Sequence, residues 1–263
     1  MGDYQYVQYE KKGRIVYVTL NRPEKLNAWN DGQARDHRAA LEEADADMDV
    51  SVVVVKGAGR AFSAGHDLSP ERASGRREKI EADKAAGKRA MSDIYNGVRG
   101  MDRGICRMYR VAWEMDIPVI GQLHGYALAG SWDATHYYDF LIAAEDTIIG
   151  HPPTRNLGLP DNPMWAFKLG PMRYKMMMMT GNAISGKQAA EWGLISKAVP
   201  EDKLEDEVNS LAEHIAKVPR ELLTMEKHLA NGWVESMGLS LMQRFNGILA
   251  GLGGRWSNET AEW

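Results

Sequence analysis

Apolar positions fall along this chain in two kinds of pattern. SVVVVKGAG (51–59) and IPVIGQLHG (117–125) are continuous apolar runs closed by glycine, the look of strands buried on both faces. RIVYVTLN (14–21) is rich in β-branched residues and runs into Asn-Arg-Pro, which predicts a strand leaving into a turn. FLIAAED (140–146) predicts a further buried strand, and TIIG (147–150) a short one. Helical character dominates elsewhere. Residues 31–48 are rich in Ala, Glu and Arg, and Ile105, Met108, Val111, Ala112 and Met115 share one helix face over 103–115. Short helices with glycine stops are predicted over 164–194, where Met176 to Met179 read as core and not as a metal or cofactor site. Three helices follow Val199-Pro200. Buried strands alternating with helices predict an α/β fold. The chain divides into a core over 1–199 and a C-terminal helical region over 200–263, read as a packing or oligomerisation appendage.

Two loops share a physical character. At Ser63-Ala64-Gly65-His66-Asp67 and at Ala129-Gly130-Ser131 a buried strand ends and the chain turns through small residues, freeing backbone N–H groups. Two such groups converging on one oxygen make an oxyanion hole. A tight turn that merely needs no Cβ gives the same pattern. Asp133, just after the second loop, reads either as an acid in a first helical turn, where the dipole favours it, or as a catalytic carboxylate.

Composition narrows the partners. The 263 residues carry a net charge of −4, which gives no general electrostatic case for nucleic acid or an anionic membrane. The one basic cluster, RASGRREK (72–79), is diluted by neighbouring glutamates and reads as a solvated helix face. Cys106 is the only cysteine, so no disulfide forms within the chain, in keeping with a reducing, cytoplasmic setting. It reads as a structural thiol. No apolar run is long enough for a secretory leader or a membrane span. Metal-ligand spacings such as HExxH or CxxC are missing from the sequence.

NRPEKLNAW (21–29), AFSAGHDL (61–68), PVIGQLHGYALAGSWD (118–133) and TGNAISGKQAAEWGLISKAVP (180–200) together resemble the crotonase, or enoyl-CoA hydratase, superfamily, in the order and spacing of that family. The resemblance implies a crotonase-like α/β spiral of repeated ββα units, with a C-terminal helical region that builds trimers, often paired into hexamers. It implies an acyl-CoA thioester as substrate, with no separate cofactor because coenzyme A is part of that substrate. The backbone N–H groups of His66 and Gly130 take the oxyanion positions. Lys25, Leu26, Ala64, Gly65, Asp67 and Leu68 fall on the family's CoA-binding segments. Asp133 takes the place of a catalytic glutamate as a shorter acid.

The pattern departs from the family at the second glutamate, where Thr154 stands; it cannot act as a carboxylate acid or base. Asp161, beside Asn162 at a position where some relatives hold a functional acid, and His151 are the candidate replacements. Trp132 and Trp165 are candidates for an acyl pocket. The expected activity is hydration, or its reverse, through an enolate. Another enolate reaction on an acyl-CoA, or a CoA-ester binder without activity, are the alternatives.

Overall fold

The computed structural model describes residues 2–69, 78, 82, 85–87, 109–155, 158–160 and 162–253. Strands β1 (Val7–Lys12), β2 (Ile15–Leu20), β3 (Val52–Gly57), β4 (Val119–Leu123), β6 (Phe140–Ala144) and β9 (Lys197–Val199) form one sheet in the order β1-β2-β3-β4-β6-β9. Only the β1–β2 pair is antiparallel. A smaller sheet runs β5 (Tyr126–Leu128), β7 (Ile148–Gly150) and β8 (Ile184–Ser185). Long strand, short strand, helix: this unit repeats along the chain, as in β4, β5 and the following helix α3 (Ala129–Thr135).

The apolar run of β3 has a simple cause. Val53 and Val55 enter the main core, whereas Val52 and Val54 face a second apolar cluster on the other side. That cluster is closed by α6 (Leu204–Ala216), whose Leu204, Val208, Ala212 and Ile215 make one buried stripe. Helix α1 (Asp31–Ala46) starts at Asn30, whose side chain accepts the Gln33 N–H, and buries Ala34, Ala40, Leu41 and Ala44.

Several elements differ from the sequence expectation. The helix expected over 103–115 is seen as the short α2 (Val111–Glu114); residues 103–108, with Cys106, lie outside the described residues, as does nearly all of the basic cluster at 72–79. Over 164–180 the expectation holds: α4 (Met164–Thr180) consists of two short helical stretches separated at Gly170, which leaves helical geometry (φ 70°, ψ 166°) just before Pro171. Of the four consecutive methionines, Met177 and Met178 are buried as expected, but Met176 and Met179 are exposed. After α5 (Gly186–Glu191) and α6 come α7 (Arg220–Ser236) and α8 (Leu239–Gly253). No helix among the described residues is long and apolar enough to cross a membrane.

Two buried histidines link the core to pH. Burial pushes His37 down to about 3; its Nε2 lies 2.8 Å from the Tyr138 hydroxyl. Burial, with the charge of Lys168 adding to it, holds His136 well below its ordinary range. Both are neutral when folded and bind protons once unfolded, so stability is full above about pH 6.5 and is lost as pH falls toward the folded values. Each contributes at most about 1.4 kcal/mol per pH unit in that window. The urea midpoint is expected to drop between pH 7 and pH 5. His136→Phe should make that slope shallower by about one proton; an unchanged slope would show that this ring does not drive it.

Candidate active site

The first loop is built as an extra strand. After Gly57 the chain turns so tightly that a Cβ there would sit 2.5 Å from the Ala61 carbonyl oxygen. It then runs back beside β5: the Ser63 N–H donates to Tyr126 O (2.8 Å) and the Leu128 N–H to Ser63 O (3.1 Å). On its other side, Ala64 N–H donates to Leu26 O (3.0 Å), Trp29 N–H to Gly65 O (2.7 Å) and Asp67 N–H to Trp29 O (2.9 Å). Gly65 O and Asp67 N–H both face Trp29, so the peptide N–H of His66 faces the opposite side, toward β5 and α3. Gly65 is required twice over. Its φ is +99°, and a Cβ would lie 2.8 Å from Ala129 Cβ.

The second loop meets the first there. Ala129 opens α3 at φ +51°, an uncommon conformation for a residue with a side chain. Gly130 follows with an ordinary φ, so space and not backbone freedom demands glycine. A Cβ would lie 2.2 Å from His66 Nε2. The imidazole rests on the Gly130 Cα, held by the Tyr109 hydroxyl 3.1 Å from Nε2, and Tyr109 packs edge-on to Trp29. Gly130 is among the first residues of α3, whose N–H groups have no acceptor within the helix.

Asp133 lies one helical turn past Gly130, on the same side of α3. The helix begins at Ala129, so Asp133 is beyond the first turn, which holds no acid; the helix-start reading is thereby corrected. The side chain is fully buried. Trp165 Nε1 donates to its Oδ1 at 2.6 Å, and His151 Nδ1 stands 3.9 Å from its Oδ2. His151 directly follows Gly150, the partner of Leu128 in the β5–β7 pair, which sets it beside Ala129 and Gly130. Asn162 is a structural tie: its Nδ2 donates to the Asp133 carbonyl (2.7 Å) and its Oδ1 accepts the Met164 N–H (2.8 Å). Asp161 lies outside the described residues. Thr154 sits on a single turn, Pro152–Arg155, with its N–H on His151 O. Trp132 and Trp165 are wholly buried and pack together with His136 between them, so neither offers an open pocket wall. Tyr109 and the hydrogen-bonding role of Trp165 were not foreseen, since nothing in their spacing points to His66 or Asp133.

The expected CoA segments come together at the rim. Lys25 and Asp67 line a cavity of about 500 Å³ with Arg22, Asn30, Asp31 and Ser69. Arg22 joins the segments, donating to Ala28 O and to Asp67 Oδ2 (3.0 Å). Burial alone would raise the Asp67 pKa, but the Ser69 N–H and the Arg22 guanidinium outweigh it and hold it below the usual range. Leu26 and Ala64 serve each other through backbone, and Leu68 is exposed.

A spiral of two-strand-plus-helix units with two glycine-shaped loops meeting at its centre defines a crotonase-type protein. The family model for enoyl-CoA hydratase/isomerase matches residues 10–239. The chain is 34% identical to an enoyl-CoA hydratase of Mycobacterium smegmatis of known structure, at a TM-score of 0.84, covering 95% of this chain and 84% of that one. A Mycobacterium tuberculosis relative bearing an enoyl-CoA hydratase name, EchA13, is 32% identical over 247 residues, which span 90% of this chain and 77% of the relative. A mitochondrial protein of Dictyostelium discoideum, named as a probable enoyl-CoA hydratase, is 29% identical over 229 residues, 86% of this chain and 75% of its own length. The chain belongs to the enoyl-CoA hydratase/isomerase family.

Proposed function

We propose that this protein is an enoyl-CoA hydratase-like lyase, adding water to an acyl-CoA thioester or removing it. What supports the reading is the close approach of the two loops, where a Cβ on Gly65 would lie 2.8 Å from the Ala129 side chain and the His66 ring lies against Gly130, near the buried carboxylate of Asp133. Negative charge that builds on the thioester oxygen would fall between the His66 and Gly130 N–H groups. Asp133 and His151 would handle the protons, and the cavity at Lys25 and Asp67 would take part of the CoA, which belongs to the substrate. Incubation with a panel of 2-enoyl-CoA esters, followed by mass analysis, tests this: hydration adds about 18 mass units and isomerisation adds none.

Thr154, where a second acid would stand, favours one alternative class. An isomerase, a C–C hydrolase or a decarboxylase forms the same enolate, and a thioester hydrolase a tetrahedral oxyanion on the same oxygen, each with a different demand for acids. A panel widened to 3-enoyl-, 3-oxoacyl- and 2-carboxyacyl-CoA esters separates these products. Tight acyl-CoA binding without any turnover would instead mark a binding protein.

Self-association is part of this reading. Helix α7 is inverted: it buries Arg220, Lys227 and Asn231, and exposes Leu222, Met225, Leu229 and Trp233 along one stripe. The buried cations are satisfied. Arg220 donates to Asp47 O and Val50 O, and Lys227 Nζ reaches Ala112 O, Ile117 O and Asp139 Oδ2. The exposed stripe suits a second copy of the chain in a trimer or hexamer. Leu229→Glu combined with Trp233→Glu should shift the sedimentation coefficient to that of the monomer. A monomeric wild type would remove this part of the proposal.

A further inference from the structure

Resting on the oxyanion reading above, we infer that Tyr109, Arg110 and Glu235 are positioning residues: helix α2, fastened to α7 and α8, holds the His66 imidazole against Gly130 and so fixes the spacing of the two N–H donors. Tyr109 is buried, and its hydroxyl lies 3.1 Å from His66 Nε2. The two rings are within 26° of parallel, with centroids 6.3 Å apart. Nε2 is also the ring atom nearest to where a Gly130 Cβ would stand, at 2.2 Å. One atom therefore meets both the Tyr109 hydroxyl and the start of α3. Trp29 holds the first loop from the other side: its backbone pairs with that of His66, and its ring packs edge-on to Tyr109. Moving the hydroxyl moves the imidazole, and moving the imidazole changes how closely Gly130 approaches the first loop.

Tyr109 directly precedes Arg110 and α2, a helix of four residues, too short to stand by its own hydrogen bonds. Helix α7 turns a polar ridge toward it, made by Lys227, Asn231 and Glu235 at four-residue steps. Lys227 Nζ donates to Ala112 O (2.7 Å) and Asn231 Nδ2 to Trp113 O (2.9 Å). Trp113 Nε1 donates to Glu235 Oε1 (3.2 Å), which also accepts from Arg110 Nη2. Arg110 Nη1 reaches α8 at Gln243 Oε1 (3.0 Å) and Ser240 Oγ (3.2 Å), and its Nε donates to Glu114 (3.0 Å). Burial alone would raise the Glu235 pKa, but Ser240, the Arg110 guanidinium and the Trp113 indole outweigh it and hold it below the usual range. The Arg110–Glu235 pair is therefore charged at neutral pH, and it is largely shielded from the solvent that weakens surface pairs.

The contacts run without a break from Glu235 through Arg110, Tyr109 and His66 to Gly130. The inverted polarity of α7 acquires a purpose: its inner face is polar because it grips carbonyl groups and a guanidinium. None of these residues lines the rim cavity at Lys25 and Asp67, so the clasp bears on the reacting oxygen and not on the hold on CoA. Two preorganised donors stabilise the developing charge only while their spacing is kept, and small misplacements are costly.

The test measures kcat and KM with a 2-enoyl-CoA ester and closes a mutant cycle. Tyr109→Phe keeps the ring and loses the hydroxyl; it should lower kcat about tenfold and leave KM within about threefold. In a His66→Ala background the same substitution should change kcat by less than about twofold, because no imidazole remains for the hydroxyl to hold. Arg110→Ala should also lower kcat about tenfold at a nearly unchanged KM, and Arg110→Lys, which keeps a cation beside Glu235, should restore most of it. Equal effects of Tyr109→Phe in the two backgrounds, or wild-type kcat in Tyr109→Phe or Arg110→Ala, overturn the inference, while hydration by the wild type leaves the proposed function standing. A folded wild type that converts no CoA ester overturns both. If Arg110→Ala does not fold, Glu235→Gln, which keeps the shape and removes the charge, takes its place, and wild-type kcat in that variant overturns the inference.

Discussion

Gly130→Ala is expected to cost about 10²–10³ in kcat, the loss typical of one missing oxyanion donor. The added methyl would lie 2.2 Å from His66 Nε2, 2.6 Å from Cδ2 and 2.7 Å from Cε1. The backbone of Gly130 can accept alanine, since its φ is ordinary, so the whole cost comes from this contact. Either the imidazole leaves the Tyr109 hydroxyl or the start of α3 moves, and the second outcome withdraws the Gly130 N–H from its position. The two are separable. His66→Ala removes the ring and keeps the backbone N–H proposed as the other donor. The double variant His66→Ala/Gly130→Ala should therefore recover at least about tenfold over Gly130→Ala alone, a coupling expected only of residues in contact. Wild-type kcat in Gly130→Ala would show that this N–H does not hold the oxygen.

This contact shows where sequence reasoning reaches its end. The glycines of both loops could be seen in the chain, and the family resemblance gave Gly130 a role. That Gly130 is glycine because a histidine ring 64 residues earlier lies on it needs the fold. The long parallel strands were legible because Val52 to Val55 are buried on both faces and leave an unbroken apolar run. β1 was not, because it is an edge strand that buries only Val7. The run TIIG did give β7, but β5, β8 and β9 have three residues or fewer, too short for any period to register. Asp133 stood out by position, but its partners are fixed by tertiary packing. The Trp165 indole comes from a helix 32 residues further on, and no spacing rule joins the two. The inverted polarity of α7 could have been found, since Arg220, Lys227 and Asn231 fall on one helical face.

Asp133→Asn should lower kcat by at least about a hundredfold, within the range of 10²–10⁴ set by a working acid–base group. The substitution keeps the shape and removes the charge. Its orientation is dictated by Trp165, whose indole only donates, so the amide must turn Oδ1 to Nε1 and Nδ2 to His151. The His151 imidazolium loses the negative charge 3.9 Å away that would stabilise it. Folding should survive, because a buried carboxylate is costly to desolvate and its neutral isostere is less so. Acyl-CoA binding should stay within about threefold, because the rim cavity is formed by Lys25, Asp67 and their neighbours and not by α3. Stopped-flow turnover beside calorimetric binding of a CoA ester distinguishes these terms. Near-normal turnover in the folded variant would remove Asp133 from the reaction.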